Sequence, residues 1–287
     1  MISLHTDQRL FQEAVNFTVA ETEFSARLIE KDYFCSVLLE YLSGIQREEL
    51  IFKGGTCLAK IHANFYRMSE DLDFTIPMAI GSSRSNRSKE MIRLKQAVEV
   101  LPRALSCFSI IGPITGANDS SEYVGTIGYS SVVDGQVNNI RIEISLREPL
   151  LTPATRGNAR TLLLDPILSE PSVEPILISC ISKSEAVAEK FRAALTRREA
   201  AIRDFYDLDY MVRKEAIQIE DKQLIRLVTE KLKVPGNGPV LLGKSRYVEL
   251  HGQIETRLKP VLRDKDYSDF HLERAYRTVE NMAELVR

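Results

Sequence analysis

The feature that most constrains the fold is a short segment, residues 71–74, in which carboxylates alternate with apolar side chains. Successive side chains of a β-strand point to opposite faces, so Leu72 and Phe74 are predicted to lie in a core while Asp71 and Asp73 share the other face. Two converging carboxylates repel each other, by about 1 kcal/mol in water and by more when partly buried, unless a cation lies between them. The segment therefore predicts a half-buried strand that presents a metal site.

A pair of glycines precedes this strand. Residues 50–52 form a short apolar run that predicts a buried strand, and Gly54 and Gly55 end it before a predicted helix over residues 56–65. Glycines let a phosphate group approach the backbone, and the N–H groups at the start of a helix bind anions. We therefore expect Gly54, Gly55 and the hydroxyl of Thr56 to bind phosphate. The plainer alternative is a simple strand-to-helix turn.

Composition excludes several classes of protein. The 287 residues suffice for one large or two modest domains, and 38 Lys and Arg against 40 Asp and Glu leave no overall basicity that would indicate a nucleic-acid partner. No run of about 20 apolar residues is present and charges interrupt the N-terminus, so we expect neither a membrane span nor a signal peptide. The four cysteines and four histidines lack zinc-site spacing. These features predict a cytoplasmic protein with reduced thiols and no membrane partner.

The hydrophobic pattern changes near residue 180. Before it, two helical patterns precede an α/β region, and residues 108–148 predict short antiparallel strands. After it, Ser182 and Glu185 have the spacing of a helix-capping box, and helical patterns continue to the end. We predict an α+β fold in two domains: a mixed sheet flanked by helices in residues 1–180 and a helical bundle in residues 181–287. The predicted helices span 6–20, 25–43, 56–65, 89–106, 204–214, 221–232, 246–258 and 268–286, with a polar loop at 81–88.

A third carboxylate, Glu143, is a candidate partner of the first two. In residues 139–146 the isoleucines fall on one face of a predicted strand and Glu143 on the other, so Glu143 can join Asp71 and Asp73 on a sheet surface. Polymerase-β-type nucleotidyltransferases combine a glycine turn, an Asp-x-Asp strand and a third carboxylate to hold two metal ions. Without that motif, a half-exposed strand explains Glu143 equally well.

Two other motifs share part of the pattern around Asp71. A calcium-binding EF-hand loop fails because Ile76 and Ser82 occupy the positions of its glycine and its glutamate. The segment also resembles the nucleophile strand of haloacid-dehalogenase-type phosphatases, in which an aspartate is phosphorylated. That strand is apolar ahead of its nucleophile, whereas the largely polar residues 66–70 precede Asp71. The phosphatase hypothesis therefore ranks last.

A second candidate cluster lies in the helical part. Lys190 flanks the apolar stripe of its predicted helix, and Asp204 and Asp207 share one face of the next helix. The three residues are candidates for binding a triphosphate; solvated helix faces and a helix N-terminus explain them about as well. Lys60, one turn after the glycines, is expected to face the same anion or solvent.

Three segments together resemble the AbiEii-type nucleotidyltransferase toxins of type IV toxin–antitoxin systems, within the polymerase-β-like superfamily. Their order and separation make the resemblance fairly specific, and it covers about residues 25–212, including a helix signature at residues 30–33. The three segments are Phe52-Lys53-Gly54-Gly55-Thr56, then Arg67-x-Ser69-Glu70-Asp71-Leu72-Asp73-Phe74, and finally Ala188-Glu189-Lys190 through Arg203-Asp204-x-x-Asp207-Leu208.

The resemblance implies a nucleotidyltransferase-like mixed sheet with a helical C-terminal part, and a reaction. It implies transfer of a nucleoside monophosphate from a nucleoside triphosphate, bound with Mg²⁺ or Mn²⁺, to an RNA acceptor. In characterised relatives that acceptor is the 3′ end of tRNA, so translation stops, and a cognate antitoxin accompanies the toxin. The alternatives are a non-catalytic nucleotide-binding module and transfer to a protein acceptor.

The resemblance also assigns roles to individual residues. Asp71 and Asp73 are implied to bind metal, with Glu143 in the place of a third aspartate. Lys190 is implied to bind the triphosphate, and Asp207 or Asp204 to complete the pocket. The phosphate contacts fall to Gly54, Gly55 and Thr56, supported by Ser69. Basic residues that offer RNA contacts are Arg84, Arg87, Lys89, Arg192, Arg197 and Arg198.

Overall fold

The computed structural model describes residues 2–45 and 49–287, and the chain divides into two compact units. Unit 1 comprises Met1–Leu150 and Ala154–Ile181, and unit 2 comprises Leu151–Pro153 and Ser182–Arg287. The assignment of two domains with a boundary at residue 180 stays a prediction, because compactness alone does not define an independently folding domain.

A mixed β-sheet is the centre of unit 1. Within the described residues it has seven strands in the order β3-β4-β5-β2-β1-β7-β6. The pairs β1–β7 and β2–β5 are parallel and the other four are antiparallel. The strands are β1 Ile51–Lys53, β2 Leu72–Thr75, β3 Phe108–Ala117, β4 Glu122–Ser130, β5 Val137–Ser145, β6 Thr155–Ala159 and β7 Ile176–Cys180.

Helices flank the sheet in unit 1 and make up most of unit 2, as the α+β prediction requires. Unit 1 contains α1 Gln8–Thr22, α2 Ala26–Ser43, α3 Gly54–Cys57 with a π-helical turn at Leu58–His62, α4 Arg84–Glu90 and α5 Ile92–Ala104, after a 3₁₀ turn at Leu4–Thr6. Unit 2 contains α6 Lys183–Thr196, α7 Ile202–Lys214, α8 Lys222–Leu232, α9 Lys244–His251, α10 Asp264–Asp269 and α11 Leu272–Leu285, with short turns at Ile254–Leu258 and Lys259–Val261. The fold class is confirmed: a mixed sheet flanked by helices, with a C-terminal helical bundle.

The structure differs from the predicted elements at several places. The predicted polar loop at 81–88 ends at Ser83, because the Ser83 hydroxyl accepts a hydrogen bond from the Asn86 N–H (3.2 Å) and starts α4. The helix predicted over 268–286 is interrupted between α10 and α11. Strands β6 and β7 were not expected at all, since residues 155–159 show no apolar alternation.

Helix α2 connects several segments of unit 1 through consecutive polar residues that are all buried. Glu30 accepts hydrogen bonds from Ser131 Oγ (2.6 Å) and from the Val132 N–H (2.6 Å). The Tyr33 hydroxyl accepts one from the backbone N–H of His5 (3.0 Å). Lys31 Nζ lies 3.1 Å from Glu70 Oε2, just ahead of β2. The signature at residues 30–33 therefore holds the scaffold together.

Lys60 takes part in the same scaffold. Its Nζ atom lies 2.6 Å from Asp32 Oδ1 and donates hydrogen bonds to Ser36 Oγ (2.8 Å) and to the carbonyl oxygen of Arg160 (3.2 Å). Neither Lys60 nor Asp32 is more than 3% exposed. The expectation that Lys60 faces an anion or solvent is wrong, because its charge is neutralised inside the protein.

Unit 2 is likewise organised around a buried charge. Ser182 caps α6 by accepting a hydrogen bond from the Glu185 N–H (3.2 Å), as the capping spacing predicts. The Glu185 carboxylate is fully buried and lies 2.8 Å from Lys231 Nζ of α8. It also accepts the N–H groups of Leu151 (2.9 Å) and Thr152 (2.8 Å), which attaches that segment to the helices.

We predict that Asp32→Asn lowers the free energy of unfolding by about 3–5 kcal/mol, because it leaves the buried ammonium of Lys60 without a counter-charge. The change keeps the size of the side chain, so little packing is lost. Urea unfolding at neutral pH measures the effect. Glu13→Gln is the matched control, since it breaks an exposed pair with Arg9 and should shift the midpoint little; equal shifts in the two variants would contradict the prediction.

Candidate active site

The polar row across the centre of the sheet comes from strand register. Asp73 on β2 is aligned with Lys53 on β1 and with Glu143 on β5. Directly aligned residues of neighbouring strands project to the same face, with Cβ atoms about 4.5–5.5 Å apart. Three adjacent strands thus present Lys53, Asp73 and Glu143 side by side.

The opposite face of the same strands is apolar. One position along, Phe52, Phe74 and Ile144 are aligned and fully or almost fully buried, and the two phenyl centroids lie 5.4 Å apart. Leu72 is also buried, which confirms the predicted alternation. This packing fixes the strands so that the carboxylates cannot exchange faces without exposing the core.

Gly54 is required where it stands because Asp73 occupies the space beside it. Its φ of +75° lies in the left-handed region, and a Cβ atom added there would lie 2.0 Å from Asp73 Oδ2. At Gly55 an added Cβ would lie 2.7 Å from Arg67 Nη2 and 2.9 Å from Ser69 Oγ. The two glycines therefore let polar side chains approach the backbone of the turn.

Thr56 joins the turn to the carboxylate segment. Its hydroxyl donates a hydrogen bond to the carbonyl oxygen of Asp71, and the side chain is 1% exposed. Asp71 itself lies one residue before β2, and its side chain is half-buried. In this structure the Thr56 hydroxyl therefore makes a contact within the protein, and its predicted phosphate contact stays a prediction.

The three carboxylates do not converge as closely as a metal ion would draw them. Among residues 2–45 and 49–287, Asp71, Asp73 and Glu143 do not form a set whose ligand oxygens all lie within 4.8 Å of one another. Glu143 instead lies 2.9 Å from Arg141 Nη2, and both side chains are more than 40% exposed. An exposed ion pair of this kind contributes little to stability, so Arg141 does not fix Glu143 in place.

Two residues beside the turn were part of the quoted motifs but received no role in the sequence analysis. Lys53 is half-buried and aligned with Asp73, and its position directly before the glycines was the available signal. Arg67 is 1% exposed, donates a hydrogen bond to the Met68 carbonyl oxygen (2.9 Å) and lies against Gly55. No sequence pattern indicated its burial. Both place positive charge next to the turn.

The structure brings the second predicted cluster together inside unit 2. Lys190 Nζ lies 2.7 Å from Asp204 Oδ1 and 2.8 Å from Asp207 Oδ2. The two carboxylates are at most 4% exposed, and Arg197 Nη1 lies 2.9 Å from Asp204 Oδ2. The ammonium of Lys190 is thus held by two carboxylates on successive turns of α7. The roles predicted for these residues in nucleotide binding stay predictions.

No helix among the described residues is long and apolar enough to cross a membrane.

Solved structures of similar fold cover nearly the whole chain. JHP933 from Helicobacter pylori matches with a TM-score of 0.53 at 15% identity, over 92% of this chain and 93% of that one. The nucleotidyltransferase toxin MenT4 from Mycobacterium tuberculosis matches with a TM-score of 0.52 at 17% identity, over 96% and 98% of the two chains. A putative nucleotidyltransferase from H. pylori matches with a TM-score of 0.50 at 15% identity, over 88% and 92%. At these identities the likeness shows the fold.

Sequence comparison gives the family. No curated protein matches the chain. The family described as nucleotidyl transferase AbiEii toxin, of type IV toxin–antitoxin systems, matches residues 38–281, which is most of the sequence. Its match includes the glycine turn, the carboxylate strands and the Lys190 cluster. The chain therefore belongs to the AbiEii family of nucleotidyltransferase toxins and is a nucleotidyltransferase.

Proposed function

We propose that the protein transfers a nucleoside monophosphate from a nucleoside triphosphate to the 3′ end of tRNA, in a reaction that requires Mg²⁺, or Mn²⁺ in its place. The observation that carries this proposal is the alignment of Asp73 with Lys53 and Glu143 beside the Gly54 turn. It brings two carboxylates, the ammonium group of Lys53 and a backbone without side chains to one place on the sheet, and nucleotidyl transfer needs all three.

The donor set suits a hard divalent cation. Mg²⁺ prefers oxygen ligands and binds through one or two carboxylates together with substrate phosphates. Asp71 and Asp73 would hold the ion, and Glu143 would join them by releasing Arg141. When bound, the ion neutralises phosphate charge and activates the attacking hydroxyl.

The turn itself binds the triphosphate in this proposal. Gly54 and Gly55 carry no side chains that would keep a phosphate from the backbone, and their N–H groups lie at the start of a helix. Lys53 adds positive charge, and Ser69 supports the turn through its contact with Gly55. In unit 2, Asp204 and Asp207 hold the ammonium group of Lys190 in one orientation, which suits the phosphate contact that the family resemblance implies for this residue.

The reaction is an in-line displacement at the α-phosphorus. The acceptor hydroxyl oxygen forms a bond to the α-phosphorus, the bond from that phosphorus to the bridging oxygen of the β-phosphate breaks, and pyrophosphate leaves. The acceptor proton passes to a carboxylate or to solvent. Addition of a nucleotide to tRNA blocks its aminoacylation, so the product accounts for a toxin that acts in the cytoplasm and is restrained by an antitoxin.

The choice of RNA as acceptor rests on the family and on basic side chains. Arg84 and Lys89 are exposed on α4, and Arg198 is exposed after α6. Arg87 and Arg197 already bind the Asp119 carbonyl and the Asp204 carboxylate, respectively. Contacts between these exposed side chains, Arg84, Lys89 and Arg198, and RNA phosphates would position RNA without recognising its sequence.

A non-catalytic nucleotide-binding module is the second candidate function. The pairing of Glu143 with Arg141 favours it, because a site with only two carboxylates still binds nucleotide with metal. The two functions differ in one product: only catalysis releases pyrophosphate.

We predict that the full-length protein, incubated with each α-labelled nucleoside triphosphate, Mg²⁺ and total RNA, moves label to the tRNA fraction. Asp71→Asn should slow this transfer by on the order of 100-fold or more, because it removes a charge that holds the metal. It should also relieve growth arrest when expression is induced. Gel separation of labelled RNA and protein, with a pyrophosphate assay, measures the outcome.

Asp119→Asn is the matched control, because Asp119 is exposed on a turn and its change removes the same charge; it should retain full activity. Label on a protein band would show that the acceptor is a protein and not tRNA. Triphosphate-dependent thermal stabilisation without pyrophosphate release would establish the binding module instead.

We predict that Gly54→Ala abolishes most of the activity, because the new methyl group must displace the Asp73 carboxylate. Gly81→Ala is a control for backbone strain. Gly81 has a φ of +85°, close to that of Gly54, but an added Cβ there meets nothing within 4 Å. Both variants should lose about 1–2 kcal/mol of stability from the left-handed backbone, and only Gly54→Ala should lose transfer. Equal activity in the two would contradict the role given to Asp73.

A further inference from the structure

Two cysteines and a histidine meet beside the glycine turn, on residues that nucleotidyl transfer does not use. One ligand atom from each of Cys57, His62 and Cys180 lies within 4.8 Å of the other two. Both cysteines are buried and carry free thiols, and His62 is half-buried. Thiolate sulfur and imidazole nitrogen are the ligands that zinc prefers.

The fold builds this cluster from distant parts of the chain. Strands β1 and β7 are paired with Phe52 aligned to Cys180, and the helix that carries Cys57 and His62 follows β1 directly. In a regular α-helix, residues five apart point about 140° away from each other. The π-helical turn at Leu58–His62, closed by a hydrogen bond from the Ala63 N–H to the Leu58 carbonyl (2.8 Å), reduces that angle. Such turns occur frequently at functional sites.

The histidine is held in the tautomer that a metal ligand needs. His62 Nε2 lies 3.0 Å from the carbonyl oxygen of Ile181. A carbonyl only accepts hydrogen bonds, so Nε2 carries a proton, and in the neutral ring Nδ1 then has the lone pair that a metal needs. Metal-binding histidines are oriented in the same way by a second hydrogen bond to a carbonyl or carboxylate.

Gly157 of β6 packs directly against Cys180, which is fully buried. An added Cβ at Gly157 of β6 would lie 2.9 Å from Cys180 Sγ and 2.7 Å from Ile61 Cγ2. The absence of a side chain at Gly157 therefore gives the Cys180 sulfur its place in the cluster.

We propose that Cys57, His62 and Cys180 are the protein ligands of a thiophilic divalent ion of the Zn²⁺ class, with water as the fourth ligand. Tetrahedral Zn–S bonds of about 2.3 Å place two sulfur atoms about 3.8 Å apart, so the observed cluster needs little movement. Each thiol still protonated loses its proton to solvent on binding, and no electrons are transferred. The ion would join the helix after the glycine turn to β7 and so fix the turn.

This site differs in chemistry from the carboxylate site. Sulfur and nitrogen donors select zinc-like ions, whereas carboxylate oxygens select magnesium. The inference does not depend on the proposed function, because the cluster is defined without any reference to nucleotide.

The test is metal binding by the reduced, metal-free, full-length protein. Titration with Co²⁺ should give the intense visible bands of tetrahedral thiolate coordination, and Zn²⁺ should bleach them at one equivalent in competition with a chromogenic chelator. Cys57→Ser, Cys180→Ser and His62→Ala should each weaken Zn²⁺ binding by about 100-fold or more, since loss of even a supporting residue costs a metal site about 10–100-fold. Circular dichroism reports whether each variant is folded.

Two variants serve as controls. Cys107→Ser removes a cysteine outside the cluster, and Asp71→Asn alters the carboxylate site; both should bind Zn²⁺ as the wild type does. Absence of the Co²⁺ thiolate bands in the wild-type protein overturns the proposal without recourse to any variant. So does unchanged Zn²⁺ affinity in folded Cys180→Ser, or a Cys57–Cys180 disulfide as the stable state of the purified protein.

Discussion

The buried ion pair between Lys60 and Asp32 is the interaction on which the site of unit 1 depends. Charges removed from water are tolerated only when they are paired and fully hydrogen-bonded, and here that condition requires three segments to be in place together. Helix α2 provides Asp32 and Ser36, the helix after the glycines provides Lys60, and the residues after β6 provide a carbonyl oxygen, a hydroxyl and an N–H. The glycine turn is therefore attached to the scaffold through its own helix.

Local pattern was enough to predict the parts of the site that lie on single elements. The alternation at residues 71–74 and the isoleucines of β5 gave the correct faces, because period-two patterning reports burial directly. The partners of Lys60 were beyond reach, since they lie on other elements and one of them is 100 positions away. The cysteines and His62 show the same limit: their spacing matches no metal motif, and they meet only through a π-helical turn and a strand pairing.

Unit 2 shows how a charged cluster forms inside a helical bundle. The sequence analysis gave Lys190 a role in nucleotide binding and gave Lys231 none, yet the ammonium group of each lies against two carboxylates. Carboxylates one turn apart on a helix repel each other unless a cation lies between them, so each lysine stabilises the helix surface that it contacts. Lys231 is 1% exposed, so its charge is neutralised inside the bundle, whereas Lys190 is 14% exposed.

The contact between Gly54 and Asp73 has a consequence for affinity. A carboxylate that is free in solution samples several rotamers, and a ligand that needs one of them must restrict the others on arrival. Because the Asp73 carboxylate fills the space that any other residue's Cβ would take, that restriction is already imposed when the chain folds. The absence of a side chain at Gly54 thus preorganises Asp73. The entropy of orienting the Asp73 carboxylate is lost once, in folding, and not in each catalytic cycle.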